Sequence, residues 1–347
     1  MMHGAWREMM PCHRDIDRRS RRSHLDVLLL FFTHYCFYRR PNVLQSVQFS
    51  TMSDQKDKQW RSVFRDDLFV GKVALVSGGG TGIGACIAAE LAHCGATVVI
   101  ASRDEARCRE AATSINKSLP KGCKGRVTAA PSTSIRDEEA IVRLISWVVE
   151  RHGGLHMLVN NAGGQFVSSA EEMSTRGFMA VIDTNLKGTF VMCREAYTHY
   201  MRDHGGSIVN ITLGNRNGMP FMAHSGAARA AIENMTATLC SEWIESDVRI
   251  NCVRPGIIFT ESGFENYGPA KDMFLEKVLP AQPAKRFGTP EEISSAVCWL
   301  LSEGAAYVTG AIVCVDGGSA YHFLPLIEIE DHEHLPVYGT LPKIARL

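Results

Sequence analysis

Between residues 73 and 315 short apolar segments alternate with longer amphipathic ones, and this alternation constrains the fold more than any other feature of the chain. The apolar, β-branched segments are Val73–Ser77, Thr97–Ala101, Gly125–Ala130, His156–Val159, Ser207–Ile211, Arg249–Val253 and Ala311–Val315. Helical patterns separate them over Gly82–Cys94, Asp104–Leu119, Asp137–Arg151, Gly177–Arg202, His224–Glu245 and Pro290–Ser302. Repeated βα units of this length predict one doubly wound parallel sheet of about seven strands, with helices on both faces. Strands without a polar alternation suit a sheet covered on both sides. Ligands of such sheets bind beyond the carboxyl ends of the strands. The turn after Ser77, the segment from Asn160 and the residues after Ile211 are therefore expected to meet at one cleft.

The first of those turns is Ser77-Gly78-Gly79-Gly80-Thr81-Gly82-Ile83-Gly84, between the run Lys72–Val76 and the helical pattern Ile83–Cys94. A strand, a glycine turn and a helix bring free backbone N–H groups and the positive end of a helix dipole to one point. No Cβ atoms block the approach of a pyrophosphate there. The fold class is thus α/β of Rossmann type, with Gly78, Gly80, Thr81, Gly82, Ile83 and Gly84 as candidate contacts to a dinucleotide. The second strand ends in Ala101-Ser102-Arg103, with no acid at its tip. An acid would bond a ribose 2′-hydroxyl, whereas Arg103 can fork onto a 2′-phosphate and Ser102 can donate to it. NADPH is the expected cofactor. The alternative is that Arg103 only starts a surface helix beside Asp104 and Glu105.

The balance of 37 Lys+Arg against 37 Asp+Glu gives no support to a nucleic-acid partner. No apolar run is long enough to span a membrane, and no cysteine or histidine spacing suggests a metal. The 11 cysteines include no Cys-x-x-Cys pair and several fall inside apolar patterns, so free buried thiols are expected. The ends differ from the middle. Residues 1–65 read as an extension, arginine-rich over 1–52, with the aspartates Asp15, Asp17 and Asp26 spoiling the acid-poor pattern of a mitochondrial presequence. Residues 66–321 read as the catalytic domain. Residues 322–347 read as a tail ending in Ala345-Arg346-Leu347, a variant of the Ser-Lys-Leu address that a peroxisomal import receptor reads. A peroxisomal location is expected, with mitochondrion or cytoplasm as alternatives.

The glycine spacing, with Asn160-Asn161-Ala162-Gly163-Gly164, Asn185, Pro255-Gly256 and Asp316-Gly317-Gly318 in order behind it, resembles the short-chain dehydrogenase/reductase family over about Asp67 to Tyr321. The resemblance implies further cofactor contacts at Asn161, Ala162, Gly163, Pro255 and Gly256. It implies a mobile lid over Thr260–Pro283 and a homotetramer built on the two long helices. The family's active site is Asn, Ser, Tyr and Lys. Aligned on His224-Ser225-Gly226-Ala227-Ala228-Arg229-Ala230, the Tyr position holds Ser225, the Lys position holds Arg229, and the Ser position falls on Leu213 beside Thr212. Asn185 alone is unchanged. A serine hydroxyl is a poor general acid at neutral pH, and Arg keeps its charge with a pKa of about 12.5 or more. The chain is either a relative that only binds, or an enzyme whose reaction needs no strong acid at an alcohol oxygen.

Reduction of a 2-enoyl thioester meets the second condition. Charge then builds on the thioester oxygen, where hydrogen-bond donors stabilise it, and the α-carbon takes its proton from water. Asn185, Ser225 and Arg229 suit that task, with Arg229 also holding ribose hydroxyls. Within the family, Asn160–Phe166, His224–Ala230, Glu265-Asn266-Tyr267-Gly268 and Pro283-Ala284-Lys285-Arg286 resemble the peroxisomal trans-2-enoyl-CoA reductases. The 2,4-dienoyl-CoA reductases share the Ser-x-x-x-basic replacement and the Gly-x-Phe loop. The expectation is therefore NADPH-dependent reduction of trans-2-enoyl-CoA, with 2,4-dienoyl-CoA reduction or a non-catalytic NADP-binding relative as alternatives. Where the group places a tyrosine further along the helix, this chain has Glu233, which reads as a solvated helix residue or interface group rather than an acid. His224 and Tyr267 are lesser candidates.

Overall fold

The computed structural model describes residues 62–214, 218–260 and 274–322; residues 1–61 of the N-terminal extension, residues 261–273 of the expected lid with Tyr267, and the terminal tripeptide lie outside them. Seven strands form one parallel sheet in the order β3-β2-β1-β4-β5-β6-β7. They are β1 Val73–Ser77, β2 Thr97–Ala101, β3 Arg126–Ala129, β4 Met157–Asn160, β5 Gly206–Ile211, β6 Val248–Pro255 and β7 Ile312–Val315. Helices α1 Gly82–His93, α2 Glu105–Ser118, α3 Glu138–His152, α4 Thr175–Ile182, α5 Gly188–Ala196, α6 Ala223–Glu242 and α7 Pro290–Leu301 connect them. The chain moves outward from β1 to β3, then returns to begin again at β4 on the other side of β1. Neighbouring strands leave in opposite directions at that point, which opens a crevice beyond Ser77 and Asn160, paired in register.

Strand residues alternate between two apolar layers, as a period of two requires. Ala74 and Val76 join Ile87, Leu91, Ile293 and Val297 on one face. Val73 and Leu75 join Ile141, Ile145, Val191 and Ile208 on the other. Helix starts follow local chemistry. Asp104 and Asp137 cap α2 and α3 by accepting the N–H groups of Arg107 and Ala140, and Thr289 with Glu292 closes a capping box ahead of Pro290. The long helix expected over Gly177–Arg202 begins earlier, at the Ser174 cap, and contains two π-type segments, Asp183–Lys187 and Tyr197–Met201. The described cysteines are all free, Cys94, Cys108, Cys193, Cys252 and Cys298 among them fully buried.

Candidate active site

The glycine turn leaves β1 with Gly78 at φ +67°. A Cβ on Gly84 would lie 2.2 Å from the Gly78 carbonyl oxygen and 2.5 Å from Asn161 Nδ2, so α1 packs on the turn at a separation that only glycine allows. Asn161 Nδ2 donates to the carbonyls of Ser77 (3.1 Å) and Gly78 (3.2 Å), while Ser77 Oγ accepts the N–H groups of Asn161 and Ala162 at 3.1 Å. The turn and the segment after β4 thus hold one another in place. Between them opens a cleft of about 540 Å³, with Gly78, Thr81, Gly82, Ile83 and Gly84 on one wall and Asn161, Ala162 and Gly163 on the other. The size suits an organic cofactor.

Ser102 and Arg103 line the far end of this cleft, and an adjoining recess of about 390 Å³ adds Gly80, Asp104 and Arg107. The two acids that follow Arg103 bond to other groups. Asp104 caps α2, and Glu105 accepts Arg109 Nε at 3.0 Å and the Ser132 N–H at 3.1 Å. Among the described residues no carboxylate pairs with Arg103; Arg107 lies 3.7 Å from Asp104. The Ser102 hydroxyl, expected to face a phosphate, donates to the Asp104 carbonyl at 2.9 Å. Arg107 was not among the expected contacts, although its place four residues after Arg103 puts both near one helix start.

The three expected catalytic residues come together, one layer deeper than expected. Asn185 stands in the first π-type segment and is fully buried. Its Oδ1 accepts the Gly164 N–H at 2.9 Å and its Nδ2 donates to the Gly164 carbonyl at 3.0 Å. Ser225, also fully buried, donates its hydroxyl to Gln165 Oε1 at 2.7 Å. Arg229, one turn further along α6, donates Nη1 to the Ile211 carbonyl at 2.6 Å. Its Nη2 lies 2.2 Å from where a Cβ on Gly163 would stand, and its Nε has no partner among the described residues. Burial lowers the guanidinium pKa to about 10, which leaves it cationic at neutral pH. The wall that faces the cleft is the loop Gly163-Gly164-Gln165-Phe166. Ser225 and Arg229 stand behind this loop, against Gln165 and Gly163, and neither is among the described residues that line the cleft. Because the Ser225 hydroxyl donates to Oε1, the free donor of Gln165 is its Nε2 amide, on an exposed side chain at the cleft wall.

The other candidates take structural places. Glu233 is not solvated. It accepts Arg254 Nε at 2.8 Å and Nη2 at 2.5 Å, and Thr212 Oγ1 at 3.0 Å. The carboxylate in turn pushes the Arg254 pKa up. His224 is fully buried, packs edge-on to Phe166 with ring centroids 4.4 Å apart, and accepts the Ser225 N–H at Nδ1. Burial lowers its pKa, disfavouring the charged imidazolium. Pro255 and Gly256 are not among the described residues that line the cleft. The Pro255 carbonyl accepts the Gly214 N–H, and the Gly256 N–H donates to the Val315 carbonyl, both at 3.0 Å. No cluster of His, Cys, Asp or Glu among the described residues has the makings of a metal site, and none of their helices is long and apolar enough to cross a membrane.

Residues 78–320 match a family model described as enoyl-(acyl carrier protein) reductase. The chain is 38% identical over 262 residues to the peroxisomal 2,4-dienoyl-CoA reductase [(3E)-enoyl-CoA-producing] of Pongo abelii, covering 75% of this chain and 87% of that one. The enzyme of the same name from Danio rerio is 32% identical over 282 residues, covering 81% and 92%. Among solved structures, a citronellol catabolism dehydrogenase from Pseudomonas aeruginosa PAO1 superposes with a TM-score of 0.64 at 39% identity, covering 75% of this chain and all of that one. A short-chain type dehydrogenase/reductase from Mycobacterium ulcerans does so at 0.68 and 29% identity, covering 73% and 91%.

Proposed function

The chain belongs to the short-chain dehydrogenase/reductase family, and from that premise we propose that it is an NADPH-dependent reductase of unsaturated acyl-CoA thioesters, with 2,4-dienoyl-CoA as the first candidate substrate. The relatives named for dienoyl reduction favour that substrate over the simple 2-enoyl thioester that the sequence put first. The observation that carries the reading is the Ser225–Gln165 hydrogen bond. It presents an amide N–H on the cleft wall, with Arg229 behind the loop and, among the described residues, no tyrosine lining the cleft.

The residues fit the cofactor: glycine at 84 lets α1 start directly on the turn that lines the cleft, and among the described residues no carboxylate pairs with Arg103 in the recess where a 2′-phosphate would lie. NADPH, when bound, supplies hydride to the far end of the conjugated system, C5 of a dienoyl or C3 of an enoyl chain. The protein's part is to hold the charge that arrives on the thioester oxygen. Gln165 Nε2 donates to that oxygen; Ser225 fixes the amide, and the Asn185–Gly164 pair fixes the loop. Arg229 adds positive potential from beneath. C2 takes a proton from water, so a diene gives a 3-enoyl product and an enoyl chain gives a saturated one. A peroxisomal address at Ala345-Arg346-Leu347, the boundaries 66–321 for the catalytic domain and a homotetramer belong to the same proposal.

Incubation of the purified chain with NADPH and each thioester, following loss of the reduced cofactor and identifying products by mass, tests it. Faster turnover of the dienoyl substrate, with a 3-enoyl product, is expected. A chain that binds NADPH and oxidises none with either thioester is a binding protein, and the proposal fails. Gln165→Ala is expected to lower kcat by about 100-fold, the loss typical of an oxyanion donor. Ser225→Ala, which only frees the amide to turn, is expected to cost about 10-fold, less than loss of the donor itself.

A further inference from the structure

Asn185 owes its position to a change of helical register. The π-type segment Asp183–Lys187 places one extra residue in the turn between α4 and α5, and such segments persist when their surroundings hold them. One side chain from outside the helix does so. Arg136, on the loop between β3 and α3, donates Nη2 to the Ala180 carbonyl at 2.7 Å and Nε to Thr184 Oγ1 at 2.5 Å. Thr184 Oγ1 in turn donates to the same Ala180 carbonyl at 2.8 Å, which closes a ring of three hydrogen bonds one residue before Asn185. Arg136, Ala180 and Thr184 all line the cleft. The loop that carries Arg136 is itself tied to the strand tip: the Thr133 N–H donates to the Ser102 carbonyl at 2.9 Å and Ser132 Oγ to the Arg103 carbonyl at 2.7 Å.

We propose that Arg136 is a positioning residue that pins the Asp183–Lys187 segment, and so links the wall beside Arg103 to the Asn185–Gly164 pair behind the catalytic loop. A planar fork is what the place requires, since one guanidinium reaches the carbonyl and the hydroxyl together; an ammonium has no second arm in that plane. The proposal deepens the reductase reading and rests on it for its kinetic consequence alone.

The test compares Arg136→Ala, Arg136→Lys, Thr184→Val, Thr184→Ser and the double variant R136A/T184V. Arg136→Ala and Arg136→Lys are expected to lower kcat about 10-fold with KM for NADPH within about threefold, as small displacements of distant supports do. Thr184→Val is expected to cost about threefold, Thr184→Ser to restore parental turnover, and the double variant to fall no lower than Arg136→Ala, since its two changes break one ring. Amide hydrogen exchange supplies a readout that needs no substrate: residues 183–188 are expected to exchange about 10-fold faster in Arg136→Ala, with residues 223–242 unchanged. Parental kcat in Arg136→Ala, unchanged exchange at 183–188, or losses that multiply in the double variant would overturn the proposal. If the parent turns over no unsaturated thioester, the reductase reading falls and the exchange result alone decides the role of Arg136.

Discussion

Arg103→Ala is expected to weaken NADPH by about 30-fold while leaving NADH within about twofold. A guanidinium that meets a phosphate through two charge-assisted hydrogen bonds contributes about 1.5–3 kcal/mol, and each 1.4 kcal/mol is a factor of about ten. Asp104 and Glu105, the acids that could have neutralised Arg103, are occupied at the cap of α2 and at Arg109 and Ser132. Arg107 shares the recess and retains part of the preference, so R103A/R107A is expected to bring the two cofactors within about threefold of one another. Titration by quenching of protein fluorescence, run with both cofactors, gives the ratio without a substrate. An unchanged ratio in Arg103→Ala would remove the basis for assigning NADPH.

Glu233→Ala is expected to destabilise the fold by about 3–5 kcal/mol, because it strands a buried guanidinium. The side chains of Glu233 and Arg254 are only 10% and 13% exposed, and Thr212 loses its acceptor as well. In a domain of this size the melting temperature should fall by about 10 °C. Replacing both partners, as E233L/R254M, is expected to recover most of that loss, since two apolar side chains leave no uncompensated charge. Turnover separates structure from chemistry. Glu233→Gln, assayed well below its melting temperature, should keep kcat within about threefold of the parent. A 100-fold loss there would make Glu233 a candidate proton donor.

The sheet was legible because its strands are short, apolar and β-branched, and because each is followed by a turn residue that ends it. β6 is the exception in length: it extends from Val248 to Pro255, since register with β5 and β7 carries pairing past the apolar run. The site was legible as residue types at a spacing, and Asn185, Ser225 and Arg229 do meet. Their depth was not, because nothing in a helical pattern tells how far the Gly163–Phe166 loop folds over α6. The interruptions at Asp183–Lys187 and Tyr197–Met201 were invisible for a related reason: one extra residue in a turn leaves apolar periodicity nearly intact. Glu233 was misread because its partner, Arg254, is brought to it by β6, from a distant part of the chain.

The burial of Ser225 bears on how such an enzyme is converted into another. Gln165 meets its hydroxyl and Phe166 seals the neighbouring His224, so the space a tyrosine ring would need at position 225 is already filled by the loop. Placing tyrosine and lysine at 225 and 229 is therefore not expected to confer alcohol oxidation by itself. Room for the ring has to come from the main chain of the loop before a change on the helix can be used.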